Sequence, residues 1–264
     1  MLELRKLSTQ NLLWVRTTFY ALGHIALFYL LWQFDLFLLF LTLCVFAFGG
    51  FAVSAYAHRT LAHKTVVWKN RFIEWILILG CVGSGIGSPL GWAAVHRMHH
   101  AYLDTDKDPH SPWRIGFWRS YFHLWDVKPE DVPTKFLTGL TRYKQLFWVH
   151  QNAIWLLIAF HTLPFVIFGI DWTLVTLAAS CLGVHAMGFT NAVNHWAGEP
   201  KKIRTTPTWW LQFGENCHEF HHKYPRSYSF GTGIYDISAR VLETFKFWGI
   251  VDLQENKNYT DNKE

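Results

Sequence analysis

Positive charge is missing from two long stretches of this 264-residue chain: no Lys or Arg lies between Arg16 and Arg59, and none between Lys144 and Lys201. Charged residues of both signs make up only 16% of the sequence, too few for an ordinary soluble domain. Cysteine is also sparse. Cys44, Cys81, Cys181 and Cys217 are far apart and form no C-x-x-C pair, which argues against a disulfide framework and against a cysteine zinc site. No solenoid repeat and no low-complexity run is present. The opening MLELRKLSTQNLLWVR is too polar for the apolar core of a cleaved signal peptide, so the first apolar helix reads as an uncleaved anchor.

In place of charge there is apolar and aromatic bulk, 51% hydrophobic and 18% aromatic residues with 15 Trp and 22 Phe, which points towards lipid. Each Lys/Arg gap is long enough for two crossings of roughly 20 residues. The predicted spans are 17–32 and 36–57, turning at Gln33-Phe34-Asp35, and 146–168 and 172–193, turning at Gly169-Ile170-Asp171. Because Lys and Arg are confined to the N-terminus and the polar segments, the positive-inside rule puts both ends of each hairpin in the cytoplasm. The apolar stretch 72–91 is broken by Gly80, Gly83, Gly85, Gly87, Pro89 and Gly91, which suits a re-entrant or interfacial helix.

The predicted fold class is therefore all-α integral membrane. A single domain, 1–254, holds four transmembrane helices in two hairpins, the re-entrant helix, and a cytoplasmic helical cap built from 59–71, 96–144 and 196–254. A polar tail, 255–264, follows. The net charge of +5 suits a cytoplasmic face near anionic lipid. Its dispersal around a membrane core excludes a nucleic-acid partner.

Nine of the fifteen histidines fall in four groups: His58 and His63 in HRTLAH, His96, His99 and His100 in HRMHH, His195 in NAVNH, and His218, His221 and His222 in HEFHH. All lie at cytoplasmic helix ends or in the cap. Offsets of three and four in H-x-x-H-H put three imidazoles on one helix face. Two such triplets already exceed one tetrahedral zinc site, and nine imidazoles suit two six-coordinate transition metals, with iron, copper, nickel and zinc all open. His58 and His63, five apart, share a face only at a helix terminus or a π-bulge. The isolated His24, His161 and His185 read as packing residues, and His110, His123 and His150 as cap or supporting residues.

Other chemistries fit less well. A ferritin-like site needs Glu-x-x-His on two helices, whereas Glu215-x-x-His218 and Glu219-x-x-His222 share one segment. DTDKDP is no calcium loop, since Pro109 replaces its glycine and Ile115 its terminal glutamate. Haem ligation by His150, His161 and His185 lacks support. HEFHH also contains the zinc-protease pattern, with His218 and His222 as ligands and Glu219 as base, but that parse leaves the other groups unexplained.

Taken in order, HRTLAH, HRMHHAYLDTDKDPHSPWRIGFW, NAVNH and GENCHEFHH resemble the membrane-bound acyl-CoA (Δ9-type) fatty acid desaturases, particularly the short bacterial members, over about residues 20–245. The resemblance implies a di-iron site that uses O2 and two electrons to desaturate a fatty acyl chain in a multi-pass bacterial inner-membrane protein. It also implies one iron on His58, His63, His96, His100 and His221 and the other on His99, His195, His218 and His222, with Asn191 positioning a water ligand. An acyl tunnel between the transmembrane helices would end near Thr42 and Phe46. Cys217 and Glu219 depart from the family's usual third box, which leaves a hydroxylase on the same scaffold as the alternative product class. Glu215, Glu219 and the aspartates 104, 106 and 108 are candidates to orient ligand imidazoles. Arg97, Lys107, Arg114 and Lys201 are expected to form a basic rim for a phosphate-bearing head group or an acidic electron carrier. With no ferredoxin-type cysteine set, cytochrome b5-like domain or G-x-G-x-x-G fingerprint in the chain, electrons must come from a separate ferredoxin, rubredoxin or cytochrome b5 type donor with its reductase.

Overall fold

The computed structural model describes residues 9–124, 127 and 131–254, with side chains from residue 14 onward. Helix α1 (Thr9–Gln33) turns through Phe34 and Asp35 into α2 (Leu36–Ala52). The Asp35 carboxylate caps α2 by accepting the Phe37 and Leu38 N–H groups at 2.9 and 3.1 Å. A π-helical segment, Val53–Ala62, continues α2 without a break. After β1 (Val66–Trp68) come α3 (Arg71–Cys81), a π turn at Val82–Ile86, and α4 (Pro89–Tyr102).

Short helices α5 (Pro112–Ile115) and α6 (Phe117–Tyr121) and a 3₁₀ turn at Thr134–Leu137 lead to α7 (Lys144–Thr162), α8 (Phe165–Phe168) and α9 (Ile170–Gly188). Helix α9 loosens into a π turn at Phe189–Val193. The chain then forms α10 (Trp209–Gln212), α11 (His218–Lys223), a 3₁₀ turn at Gly233–Asp236, α12 (Ile237–Phe247) and β2 (Val251–Leu253).

Among the described residues three helical segments are long and apolar enough to cross a membrane: Leu36–Ala62, Lys144–Phe168 and Ile170–Val193. They cover the second, third and fourth predicted spans. Helix α1 covers the first but is not one of the three, its apolar run being interrupted by Arg16, Thr17, Thr18 and His24. Residues 72–91 resolve into α3, its π turn and the start of α4, and the two halves meet at 68°. The corner is made by Gly85 and Gly87, whose φ values of 88° and 77° suit residues without a Cβ. Ser88 and Pro89 then start α4.

Helix α9 is central, with α1 packed along it through Ala26, Leu30, Val175 and Ala178 and α2 against the same cluster through Leu41 and Val45. The all-α expectation needs one correction. Strands β1 and β2 pair antiparallel, Val66 opposite Leu253 and Trp68 opposite Val251. Two valines and a tryptophan favour extended backbone there, and a distant strand satisfies its N–H and C=O groups. The predicted polar tail, 255–264, lies outside the described residues.

Candidate metal centre

The four histidine groups meet at one end of the helices. Their Nε2 atoms form two sets, each within 4.8 Å of one another: His58, His63, His96, His100 and His221, and His99, His195, His218 and His222. In the first set the contacts run His63 to His96 at 2.9 Å, His96 to His100 at 3.0 Å, His100 to His221 at 2.9 Å and His221 to His58 at 3.0 Å. In the second, His218 stands 2.9 Å from His195 and 3.1 Å from His222.

Hydrogen bonds alone do not satisfy such chains. A neutral Nε2 carries either one hydrogen or one lone pair, yet those of His96, His100 and His221 each face two others. A shared cation would satisfy all the lone pairs at once. For metal–nitrogen bonds of about 2.1 Å, neighbouring ligands stand about 3.0 Å apart at right angles and about 3.4 Å apart in a tetrahedron. The observed contacts match the right-angled case. The Nε2 of His99 is buried without a partner among the described residues, as a metal-facing nitrogen would be. Burial, and after it the neighbouring rings, hold His218, His221 and His222 well below the ordinary imidazole pKa. They are therefore neutral lone-pair donors at pH 7, the form that metal binding requires. The residues fit a pair of transition-metal ions.

Local backbone explains how each imidazole arrives. The π geometry of Val53–Ala62 brings His63 beneath His58, the His63 N–H donating to the His58 carbonyl at 3.0 Å. Helix α4 presents His96 and His100 together and turns adjacent His99 to the second set. Helix α11 divides His221 from His218 and His222 in the same way. The π turn at Phe189–Val193 carries buried Asn191 and delivers His195.

A family model for fatty acid desaturases matches residues 30–230. This chain belongs to the fatty acid desaturase family. Similar proteins include the Delta-9 acyl-lipid desaturase 2 of Arabidopsis thaliana, 27% identical over 249 residues that cover 88% of this chain and 78% of that protein. The sn-2 palmitoyl-lipid 9-desaturase of Nostoc sp. (strain 36) is 27% identical, over 90% of this chain and 89% of its own. The sn-1 stearoyl-lipid 9-desaturase of Anabaena variabilis is 27% identical, over 82% of each chain. The protein is thus a membrane-bound oxidoreductase of desaturase type.

A second layer of carboxylates orients the desaturase's imidazoles. Glu215 accepts His58 Nδ1–H at 2.7 Å and the Ser54 hydroxyl at 2.6 Å. Asp108 accepts His99 Nδ1–H at 2.8 Å and the Asp104 N–H at 2.8 Å. Burial would raise the Asp108 carboxyl, but the His99 ring and these donors outweigh it and hold it below the usual range. Glu215 is likewise held low against burial, by His58 first and then Arg59. Asp104 lies 3.7 Å from His195 Nδ1, beyond hydrogen-bond length, and accepts the Lys201 N–H at 2.7 Å. Asp106 is exposed.

Three expectations are corrected. Glu219 is exposed and meets no imidazole among the described residues, because it follows His218 by one position and points about 100° away from the ligand face. The zinc-protease parse is disfavoured by a different observation, since His218 and His222 share their cluster with His99 and His195. Arg97 is built into the fold rather than held out on a rim: its guanidinium donates to the carbonyls of Leu61, Ala62, Phe136 and Thr138, closing the C-terminal end of the π segment. Arg114 is similarly engaged with the Asp108 and Pro109 carbonyls, while Lys107 and Lys201 are exposed.

Sequence reasoning missed Arg59. The residue that marked the end of a charge-free run is fully buried, pairing with Asp236 at 2.9 and 3.0 Å and with Glu215 at 3.3 Å, and lying 3.9 Å over the Phe230 ring. Trp92, stacked on His96 at 4.8 Å, and Phe230, 4.3 Å from His221, were also missed. An arginine directly after a ligand histidine was the available signal.

Proposed function

We propose that this desaturase inserts a cis Δ9 double bond into a lipid-borne fatty acyl chain, using O2 and two iron ions. The division of nine Nε2 atoms into sets of five and four carries the reading. His58, His63, His96, His100 and His221 would hold one iron, and His99, His195, His218 and His222 the other, with Asn191 positioning a water ligand. When bound, the iron pair supplies the O2-driven oxidation of an unactivated C–H bond. Glu215 and Asp108 hold His58 and His99 as Nδ1–H tautomers with Nε2 lone pairs turned inward.

A cavity lined by Phe46, Gly50, Gly83, Phe160 and Phe213 reaches Ser54 and Glu215, next to His58, and its apolar wall suits an acyl chain and excludes water. Phe46 lines it, and Thr42, one turn earlier on α2, is buried outside the lining. Relatives named for acyl-lipid, palmitoyl-lipid and stearoyl-lipid substrates, and the engagement of Arg97 with carbonyls, favour a lipid ester over a CoA thioester. We further propose that α1 is a fourth span, because its outward Phe28 and Trp32 are 67% and 86% exposed, as lipid contact would allow. Both ends and the metal centre would then face the cytoplasm, where a separate electron carrier delivers electrons.

The test is expression of the full chain with a reductase and carrier, followed by mass-spectrometric location of new double bonds in lipid and CoA pools. O2-dependent Δ9 products appearing first in lipid support the proposal. Hydroxylated products would move the enzyme to the other product class, and CoA-borne products would restore the thioester.

A further inference from the structure

Outside the nine-histidine centre, His24 on α1 and Cys181 and His185 on α9 bring one ring nitrogen from each histidine and the thiol Sγ within 4.8 Å of one another. Cys181 and His185 are four apart on one helix face. Helix α1 reaches them because Gly23 has no side chain; a Cβ there would lie 2.9 Å from the Leu177 carbonyl and 3.1 Å from the Cys181 Cβ. The place is about 12 Å along α1 from Arg16, whose guanidinium donates to the His123 carbonyl.

The hydrogen bonds around these rings are ones that metal ligands also make. His24 Nδ1 lies 2.6 Å from the Tyr20 carbonyl, which only accepts. His24 therefore carries its hydrogen on Nδ1 and presents an Nε2 lone pair. That lone pair faces His185 Nε2 at 3.2 Å, and the other nitrogen of His185 lies 3.1 Å from the Tyr121 hydroxyl. Each imidazole thus has an oxygen on Nδ1 and turns Nε2 towards the other ring, with the Cys181 thiol in the same cluster. The 3.2 Å separation is near the edge of about 3.3 Å expected for a tetrahedral ion with bonds of about 2.05 Å, and longer than the contacts in the nine-histidine centre.

We propose that His24, Cys181 and His185 bind a single Zn2+-class ion that clasps α1 to α9. Thiolate plus two imidazoles is a donor set that suits zinc. Binding releases the Cys181 thiol proton to solvent and leaves the fourth position to an exogenous ligand. The clasp stiffens the end of α9 that runs into the π turn before His195. Tyr121, on α6, supports it from the cap side.

Co2+ as a zinc probe, titrated into the iron-loaded full chain, tests this. Expected is one cobalt per chain with sulfur-to-cobalt charge-transfer absorption, displaced by Zn2+. The band should vanish in Cys181→Ser, weaken at least tenfold in His24→Gln and His185→Gln, and persist in Cys217→Ser, which removes the other buried thiol near imidazoles. Absence of the band, or its survival in Cys181→Ser, overturns the site and leaves a hydrogen-bonded Tyr121–His185–His24 relay. Should the variants not fold, zinc-edge X-ray absorption of the chain bearing only Cys217→Ser decides: one sulfur in the shell supports the site, and an all-nitrogen and oxygen shell overturns it.

Discussion

Replacing Glu215 with glutamine removes a buried negative charge on which His58, Ser54 and Arg59 all rely, at 2.7, 2.6 and 3.3 Å. The amide oxygen can still accept from one of them, but the amide N–H groups must then face another donor. Arg59 keeps both oxygens of Asp236, at 2.9 and 3.0 Å, so its cation is not orphaned. The folding cost should therefore be near that of a hydrogen bond to a charged group, about 1.5–3 kcal/mol, and below the ~3–5 kcal/mol of a broken buried ion pair. The metal is affected more. With the carboxylate gone, His58 is a weaker and less firmly oriented donor, and loss of an outer partner of this kind costs roughly 10–100-fold in metal affinity or activity. Iron per chain, measured after equilibration with graded chelator, should fall from two to one in Glu215→Gln at chelator levels the wild type withstands. Glu215→Asp should lie between. Unchanged retention of both irons in Glu215→Gln would refute the role assigned to the carboxylate.

Acid should destabilise the metal-free protein from about pH 6.5 downward. His218, His221 and His222 have lowered folded-state pKa values, so the unfolded chain binds more protons there and stability falls with pH, by up to about 1.4 kcal/mol per unit per ring. The lowered carboxyls of Asp108 and Glu215 contribute stability above their unfolded values near about 4 that is lost as pH falls through the folded ones. A thermal midpoint flat between pH 7 and 5 would contradict this. Arg97→Ala should cost about 1–3 kcal/mol in thermal stability and leave the substrate KM unchanged; a raised KM with intact stability would return Arg97 to substrate binding. In Gly50→Ala, the new Cβ would lie 2.3 Å from the Phe213 ring, which must shift across the cavity. Products should move to shorter chains, and an unchanged chain-length profile would remove the cavity as the acyl site.

Much of the site was legible because its signals are local. The three- and four-residue offsets in HRMHH and HEFHH fix which imidazoles share a helix face, and the five-residue offset in HRTLAH called for a helix terminus or a π-bulge, both of which the backbone supplies, with His63 capping the π segment. How nine imidazoles divide into two sets followed from likeness to a family, since spacing does not specify which faces oppose. Arg59 was given no role and Arg97 was expected in a basic rim, for a common reason. A guanidinium at the end of an apolar run looks like an interface anchor, and only the carbonyls and carboxylates that fold around it show it to be internal.

The sequence by itself determined that this chain enters lipid and that its histidines stand in ligand-spaced groups. Apolar run length, Lys/Arg placement and helical period are properties of contiguous residues. The tertiary structure alone decided that Glu215 rather than Glu219 supports a ligand, that β1 meets β2, and that His24 and His185, unremarkable on separate helices, converge on Cys181. Those outcomes depend on partners far apart in the chain, such as Val66 and Leu253, and on the packing that brings them together.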